Sequence, residues 1–143
     1  MSDSCIFCRI AAREIPAEIV FEDQHSVAFL DIDPLFPGHT LLVPKRHSET
    51  LTDLPAVQVA PLFQNAQKLT RAIESAMEAG GSFLGVNNRV SQSVPHLHIH
   101  IVPRRKKDGL KGFFWPRKKY ESDKHLSETA EKIRHELSVT RTP

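Results

Sequence analysis

The sequence predicts an α+β protein: an antiparallel five-stranded sheet with one long helix packed on it and a second helix near the C-terminus. Three observations carry this expectation. Short β-branched and aromatic runs occur at residues 17–22, 26–31, 40–44, 82–87 and 96–102, with the length and composition of strands. One long stretch, 57–77, repeats apolar residues at three- and four-residue steps, the spacing of a helical face. The resulting order, β-β-β-α-β-β-α, belongs to an antiparallel sheet with helices to one side.

Taken in order, CIFCRIAARE (5–14) has the makings of a short helix, ended by the extended bias that Pro16 imposes on Ile15. AEIVFE (17–22) and SVAFLD (26–31) flank the polar DQH and form a hairpin. Pro34, Pro37 and Gly38 interrupt the chain before TLLVP (40–44), a continuous apolar run suited to a central buried strand. In the long helix, Val59, Leu62, Phe63, Ala66, Leu69, Ile73, Ala76 and Met77 mark the apolar face. Pro61 either kinks that helix or marks its start, and Gly80-Gly81 ends it. SFLGVN (82–87) and HLHIHIV (96–102) supply the last two strands. Asp123 caps a helix over 123–137 with Leu126, Ile133 and Leu137 on its apolar side.

Composition narrows the class. A chain of 143 residues with 40% hydrophobic and 25% charged residues is sized for one domain, 1–143, with a basic aromatic extension from about residue 104. There is no apolar run of membrane-spanning length and no leader pattern at the N-terminus, so a cytoplasmic protein without a membrane partner is expected. The two cysteines, Cys5 and Cys8, are too close together to cross-link distant segments, which argues against a disulfide scaffold.

The most informative stretch is PHLHIHIVPR, residues 95–104. Side chains alternate along a strand, so His96, His98 and His100 face one side while Leu97, Ile99 and Ile101 face the other. Three imidazoles in phase would repel one another once charged, which makes them poor filler for an exposed strand face. Such a row suits a metal site or a nucleophilic site, because imidazole is both a common zinc ligand and an able nucleophile when its far nitrogen is hydrogen-bonded. Asn87, Gln92 and Ser93 lie just upstream and are neutral donors suited to an anionic oxygen. Phosphoryl chemistry therefore fits the neighbourhood better than a catalytic metal.

QSVPHLHIHIVPR (92–104) resembles the signature of the histidine triad (HIT) family, and FEDQHSVAFLDIDPLFPGHTLLVPKRH (21–47) is similar to that family's N-terminal half. The resemblance implies a HIT-like fold and a homodimer. It also implies a nucleotide hydrolase or transferase that acts at the α-phosphate of purine nucleoside phosphoramidates or dinucleoside polyphosphates. By position, His98 is similar to the family nucleophile, which is transiently nucleotidylated before water releases the nucleoside monophosphate. His100 is similar to a holder of the phosphate oxygens, with Gln92 and Ser93 at the phosphate and leaving group. Asp31 resembles the ribose-binding carboxylate, Phe7, Ile10, Phe29 and Ile32 the apolar walls around the base, and Asn87 a phosphate- or ribose-side contact. Ordinary core packing accounts equally well for Phe7, Phe29 and Ile32. Where many relatives have a glycine-rich loop between the asparagine and the glutamine, this chain has NRVS, so no contact from 88–91 carries over. A nucleotide-binding adaptor with incidental hydrolysis is the competing function.

Cys-x-x-Cys spacing serves zinc and also redox pairs, but the redox use belongs at the start of a long helix after a strand, which this N-terminus does not offer. The HIT resemblance extends to a subset in which the cysteine pair is completed by the histidine of Pro-Lys-x-His and the first triad histidine. That implies a closed, structural zinc site of Cys5, Cys8, His47 and His96. It also sets a conflict, since a zinc-bound His96 has no proton to give a leaving group. Finally, RRKKDGLKGFFWPRKK (104–119) sets eight basic residues against one aspartate. Stacking by Phe113, Phe114 and Trp115 beside these charges would suit nucleic acid, but packing of the aromatics on a dimer partner is favoured, which argues against nucleic acid as a partner.

Overall fold

In the computed structural model the described residues are 4–110 and 117–139. The aromatic segment Phe113, Phe114 and Trp115, for which packing on a dimer partner is expected, lies outside them. The chain forms two compact units, Met1–Lys106 and Lys107–Pro143. The first holds helix α1 (Ile6–Ala11), strands β1 (Ile19–Glu22), β2 (Ser26–Leu30) and β3 (Thr40–Pro44), a 3-10 turn at Leu51–Asp53, helix α2 (Ala56–Ala76), and strands β4 (Gly81–Gly85) and β5 (Ile99–Arg104). The second holds α3 (Asp123–Val139).

The five strands form one sheet in the order β1-β2-β3-β5-β4, and every neighbouring pair is antiparallel. Strand β3 is central and buried throughout, as its continuous apolar run requires. Its side chains divide by parity. Leu42 joins Ala28, Ile99 and Ile101 against Leu62, Ala66, Leu69 and Ile73 of α2, while Leu41 and Val43 join Val27 and Phe29 against Phe7, Cys8 and Ile10 of α1. The two helices thus cover opposite faces, so the expectation of helices to one side holds for α2 and not for α1.

Helix α2 begins behind Pro55 and carries Pro61 inside it, so this proline is not the start. Of the expected apolar face, Phe63 is 40% exposed. Between Leu62 and Ala66 the helix buries instead a polar residue, Asn65, whose Nδ2 donates to Asp23 Oδ2 and Ser26 Oγ, both at 2.8 Å, and ties α2 to the β1–β2 turn. In α3 no described residue is buried, and Leu126, Ile133 and Leu137 are exposed.

Strand β5 begins three residues later than the sequence predicts. Its pairing with β3 runs from Thr40↔Ile101 to Leu42↔Ile99, and upstream of it the Leu97 N–H leaves the ladder to donate to the Ser48 carbonyl at 2.7 Å. His96 and His98 therefore sit on an extended segment anchored to the loop after β3. The alternation survives, since Leu97, Ile99 and Ile101 all enter the core under α2.

Gly38, just before β3, adopts φ +98°, and a Cβ built on it would lie 2.7 Å from Met77 Cγ. We expect Gly38→Ala to lose about 1–3 kcal/mol of stability from backbone conformation, and more from the overlap. Denaturant titration of Gly38→Ala with and without Met77→Ala checks this: the second change should relieve only the overlap.

Candidate functional site

The protons on the histidine rings are assigned by their backbone partners, because a carbonyl only accepts and an N–H only donates. His98, 3% exposed, has Nδ1 at 2.7 Å from the carbonyl oxygen of His96. Its Nδ1 therefore carries the proton and its Nε2 keeps a lone pair. His96, fully buried, has Nε2 at 2.8 Å from the Pro44 carbonyl, so its lone pair is on Nδ1. His39 Nδ1 accepts the Leu35 N–H at 3.1 Å, which places its proton on Nε2. That atom lies 3.0 Å from His100 Nδ1, so His39 donates to His100, and the His100 proton sits on Nε2.

For His96, His100 and His39 the surroundings favour the neutral ring that these assignments require. Burial, with the nearby His98 and His39 rings, pushes His100 down to about 4 against a small upward pull from Asp31. Burial also pushes His96 down to about 4, opposed by its bond to Pro44 and aided by His47 and His98. His39 is lowered by burial, with Asp31 opposing and His98 assisting.

Beside this row lies a cleft of about 250 Å³ whose lining includes Phe7, Ile10, Phe29, Ile32, Asp31, Ser93, His98 and His100. Eight residues singled out from the sequence thus meet in one place. Phe7 closes one side, its ring edge-to-face with His98 at 5.1 Å and with Phe29 at 5.3 Å. Ile32, 96% exposed, forms the rim. Asp31 follows β2; its Oδ1 accepts the Asp33 N–H at 2.9 Å, and its Oδ2 lies 3.7 Å from His39 Nε2.

Three of the expected residues are elsewhere. Gln92 braces its own loop, its Oε1 accepting the Arg89 N–H at 2.8 Å and its Nε2 donating to the Glu49 carbonyl at 2.6 Å. Asn87 is exposed beyond the end of β4 and does not line the cleft. His96 faces the cysteines. In the 88–91 segment, where the resemblance leads one to expect glycine, Arg89 and Ser91 adopt φ +69° and +61°, in the left-handed region that glycine favours. His39 is the residue the sequence reading missed. It stands in PGHT, but only the pairing Leu41↔His100 shows that position 39, one alternation from Leu41, lies beside His100.

Cys5, Cys8, His47 and His96 form a compact group. His96 Nδ1 lies 3.3 Å from Cys5 Sγ, 3.5 Å from Cys8 Sγ and 3.2 Å from His47 Nδ1, and Cys8 Sγ lies 3.3 Å from His47 Nδ1. Tetrahedral zinc, with bonds of about 2.0–2.1 Å to nitrogen and 2.3 Å to sulfur, would hold N···N and N···S pairs of ligand atoms roughly 3.3–3.6 Å apart. The geometry fits within a few tenths of an ångström, and the His96 lone pair already points into the group. Asp31, His39 and His100 also cluster, but the facing nitrogens of the two rings are engaged with each other, which makes this group a hydrogen-bond relay.

The neutral burial of His100 has a stability consequence. Its folded pKa lies below the ordinary 6.5, so the unfolded chain binds the extra proton first and stability is lost as pH falls from about 6.5 towards 4. Asp31 opposes this loss, and His39 and His98 add to it. Thermal unfolding between pH 7 and 4 should show a shallower decline for His100→Asn than for the unaltered chain. Parallel curves would refute neutral burial.

The HIT domain model matches residues 12–107. Over 125 residues the chain is 39% identical to an uncharacterised HIT-like protein of Methanocaldococcus jannaschii, covering 87% of this chain and 97% of that protein. It is 32% identical over 141 residues to an adenosine 5′-monophosphoramidase of Candida albicans, covering 94% and 92%. Among solved structures, a HIT family member from Bacillus subtilis superposes with a TM-score of 0.85 at 35% identity, covering 96% of this chain and 100% of that one. A zinc-bound histidine triad family protein from Mycobacterium smegmatis does so with a TM-score of 0.71 at 32% identity, covering 96% and 98%. With the family model spanning most of the chain, and the in-phase histidines at the end of a five-stranded antiparallel sheet, the protein belongs to the HIT family.

Proposed function

We propose that the protein is a nucleotide hydrolase that opens the bond between an α-phosphate and its leaving group by double displacement through His98. The observation that carries this is the bond from His98 Nδ1–H to the His96 carbonyl, at 2.7 Å, which in the neutral ring puts the lone pair on Nε2, on a ring lining the cleft. The adenosine 5′-monophosphoramidase similar to this chain over nearly its whole length supports a purine nucleoside phosphoramidate as substrate, with dinucleoside polyphosphates as the related alternative.

In the first step His98 Nε2 attacks the α-phosphorus. The Nε2–P bond forms, and the bond to the leaving group breaks with its electron pair, which takes a proton from water. The positive charge left on the imidazole is spread towards Nδ1–H and stabilised by the His96 carbonyl. His100 offers its Nε2–H to a phosphate oxygen, and the Ser93 hydroxyl stands at the open side for the leaving group. In the second step water attacks phosphorus, the P–Nε2 bond breaks, its pair returns to His98, and a proton passes to solvent. Asp31 accepts from the ribose hydroxyls, and Phe7, Ile10, Phe29 and Ile32 flank the base.

Cys5, Cys8, His47 and His96 would hold zinc as a structural ion, which ties segments together and supplies no open position for chemistry. Under this arrangement His96 serves through its carbonyl and not its ring. A homodimer is the expected working form. β4 is an edge strand, and Leu84 on it, 39% exposed, lines an apolar hollow together with Phe63. A cytoplasmic location completes the proposal. Among the described residues no helix is long and apolar enough to cross a membrane.

His98→Asn should lower turnover of adenosine phosphoramidate by about a thousandfold or more while adenosine monophosphate still binds; normal turnover would exclude the mechanism and favour a binding-only adaptor. Asp31→Ala should weaken ribonucleotides far more than 2′-deoxyribonucleotides in a calorimetric comparison, because a carboxylate has fewer hydroxyls to hold in the deoxy ligand. Equal losses would make Asp31 structural.

A further inference from the structure

The metal group and the base wall are built from the same short piece of chain. Cys5 is the N-cap of α1 and Cys8 lies in its first turn; Ile6 and Phe7, between them, and Ile10, two residues on, line the cleft. Phe7 touches both histidine sites, edge-to-face with His96 at 5.9 Å and with His98 at 5.1 Å. A helix of six residues is far below the length that holds itself together in water. Its place depends on packing against β2 and β3 and on its two cysteines.

The other two ligands are anchored differently. His96 is held by its own bond to Pro44, and the next residue by the Leu97 N–H to the Ser48 carbonyl. His47 follows three residues behind the end of β3. The His96 segment is therefore held by backbone partners of its own, including the carbonyl that orients His98, whereas α1 meets it through the two sulfurs and Phe7.

We propose that Cys5 and Cys8 are positioning residues for the nucleobase: metal ligation by them sets Phe7 and Ile10 against the base, so the ion strengthens binding of the base and leaves binding of the ribose phosphate unaltered. This rests on the nucleotide reading above. By linkage the coupling is reciprocal, and a base-bearing ligand tightens metal binding by the same factor.

The test compares adenosine 5′-monophosphate with ribose 5-phosphate, which lacks the base. Metal analysis of the purified full-length protein should give one zinc per chain. After chelation, and in Cys5→Ser/Cys8→Ser, calorimetry should show adenosine monophosphate weakened by about tenfold or more and ribose 5-phosphate unchanged. KM for the phosphoramidate should rise by more than kcat falls. Should the metal-free or variant protein not fold, chelator competition on the unaltered protein decides: adenosine monophosphate should tighten zinc by that factor and ribose 5-phosphate should not. Equal weakening of both ligands, no weakening of either, zinc affinity indifferent to adenosine monophosphate, or absence of zinc would each overturn the proposal. Failure of the untreated protein to bind adenosine monophosphate would overturn the nucleotide reading itself and the inference with it.

Discussion

The hydrogen bond from the His98 Nδ1–H to the carbonyl of His96 is the constraint around which the rest of the site is arranged. An imidazole in solution exchanges its proton between two nitrogens. Here a carbonyl two residues away admits only one choice for the neutral ring, and its lone pair is left on Nε2. The same logic is repeated along the row, with Pro44 for His96 and Leu35, through His39, for His100. Each ring takes its proton position from the backbone, so the site has one hydrogen-bonding pattern before any ligand arrives. Such preorganisation costs no rearrangement at the moment of reaction.

That pattern needs buried rings, with burial keeping His39, His96 and His100 neutral, and the sheet supplies the burial. The strand period of two puts Leu97, Ile99 and Ile101 under α2 and leaves the histidines for the other face, where α1 and the segments after β2 and β3 enclose them. Antiparallel pairing of β3 with β5 then sets His39 beside His100. The residue preceding β3 thereby helps fix the protonation of one near the start of β5. This explains why the turn before β3 is tightly specified, with Gly38 in a conformation few other residues tolerate.

What was legible in the sequence was whatever a local period reports. The long helix and the histidine face follow from spacing and the five strands from the composition and punctuation of short runs, and the boundary errors at β5 arise because a segment can be extended without joining the ladder. What was not legible depends on strand order. Nothing in the one-dimensional spacing says that β5 lies between β3 and β4, so His39 passed unnoticed although it stands in a quoted motif. Asn65 was hidden for a related reason: a polar residue within an apolar helical face reads as an interruption, and its partners Asp23 and Ser26 are more than thirty-five positions away. Gln92 is the opposite case. Its residue type suits a phosphate, and here its amide holds the Arg89 N–H and the Glu49 carbonyl, in a loop where Arg89 and Ser91 have taken backbone conformations that glycine would adopt freely.

The N-terminal helix is the least conventional part of the design. The HIT domain match begins at residue 12, so Cys5, Phe7, Cys8 and Ile10 all precede it. Without them the sheet would still present His98, His100 and Asp31, but Leu41 and Phe29 would face water on the side that α1 now covers. The cleft has two apolar sides, one from the sheet and the other from a helix too short to persist unaided. Two cysteines and two histidines in this arrangement would, on holding a metal, offer a stronger tie than a few more apolar contacts, because a metal bond holds direction as well as distance. The cysteines are therefore best understood with the phenylalanine they bracket, as parts of one wall, and not as a separate centre that happens to lie nearby.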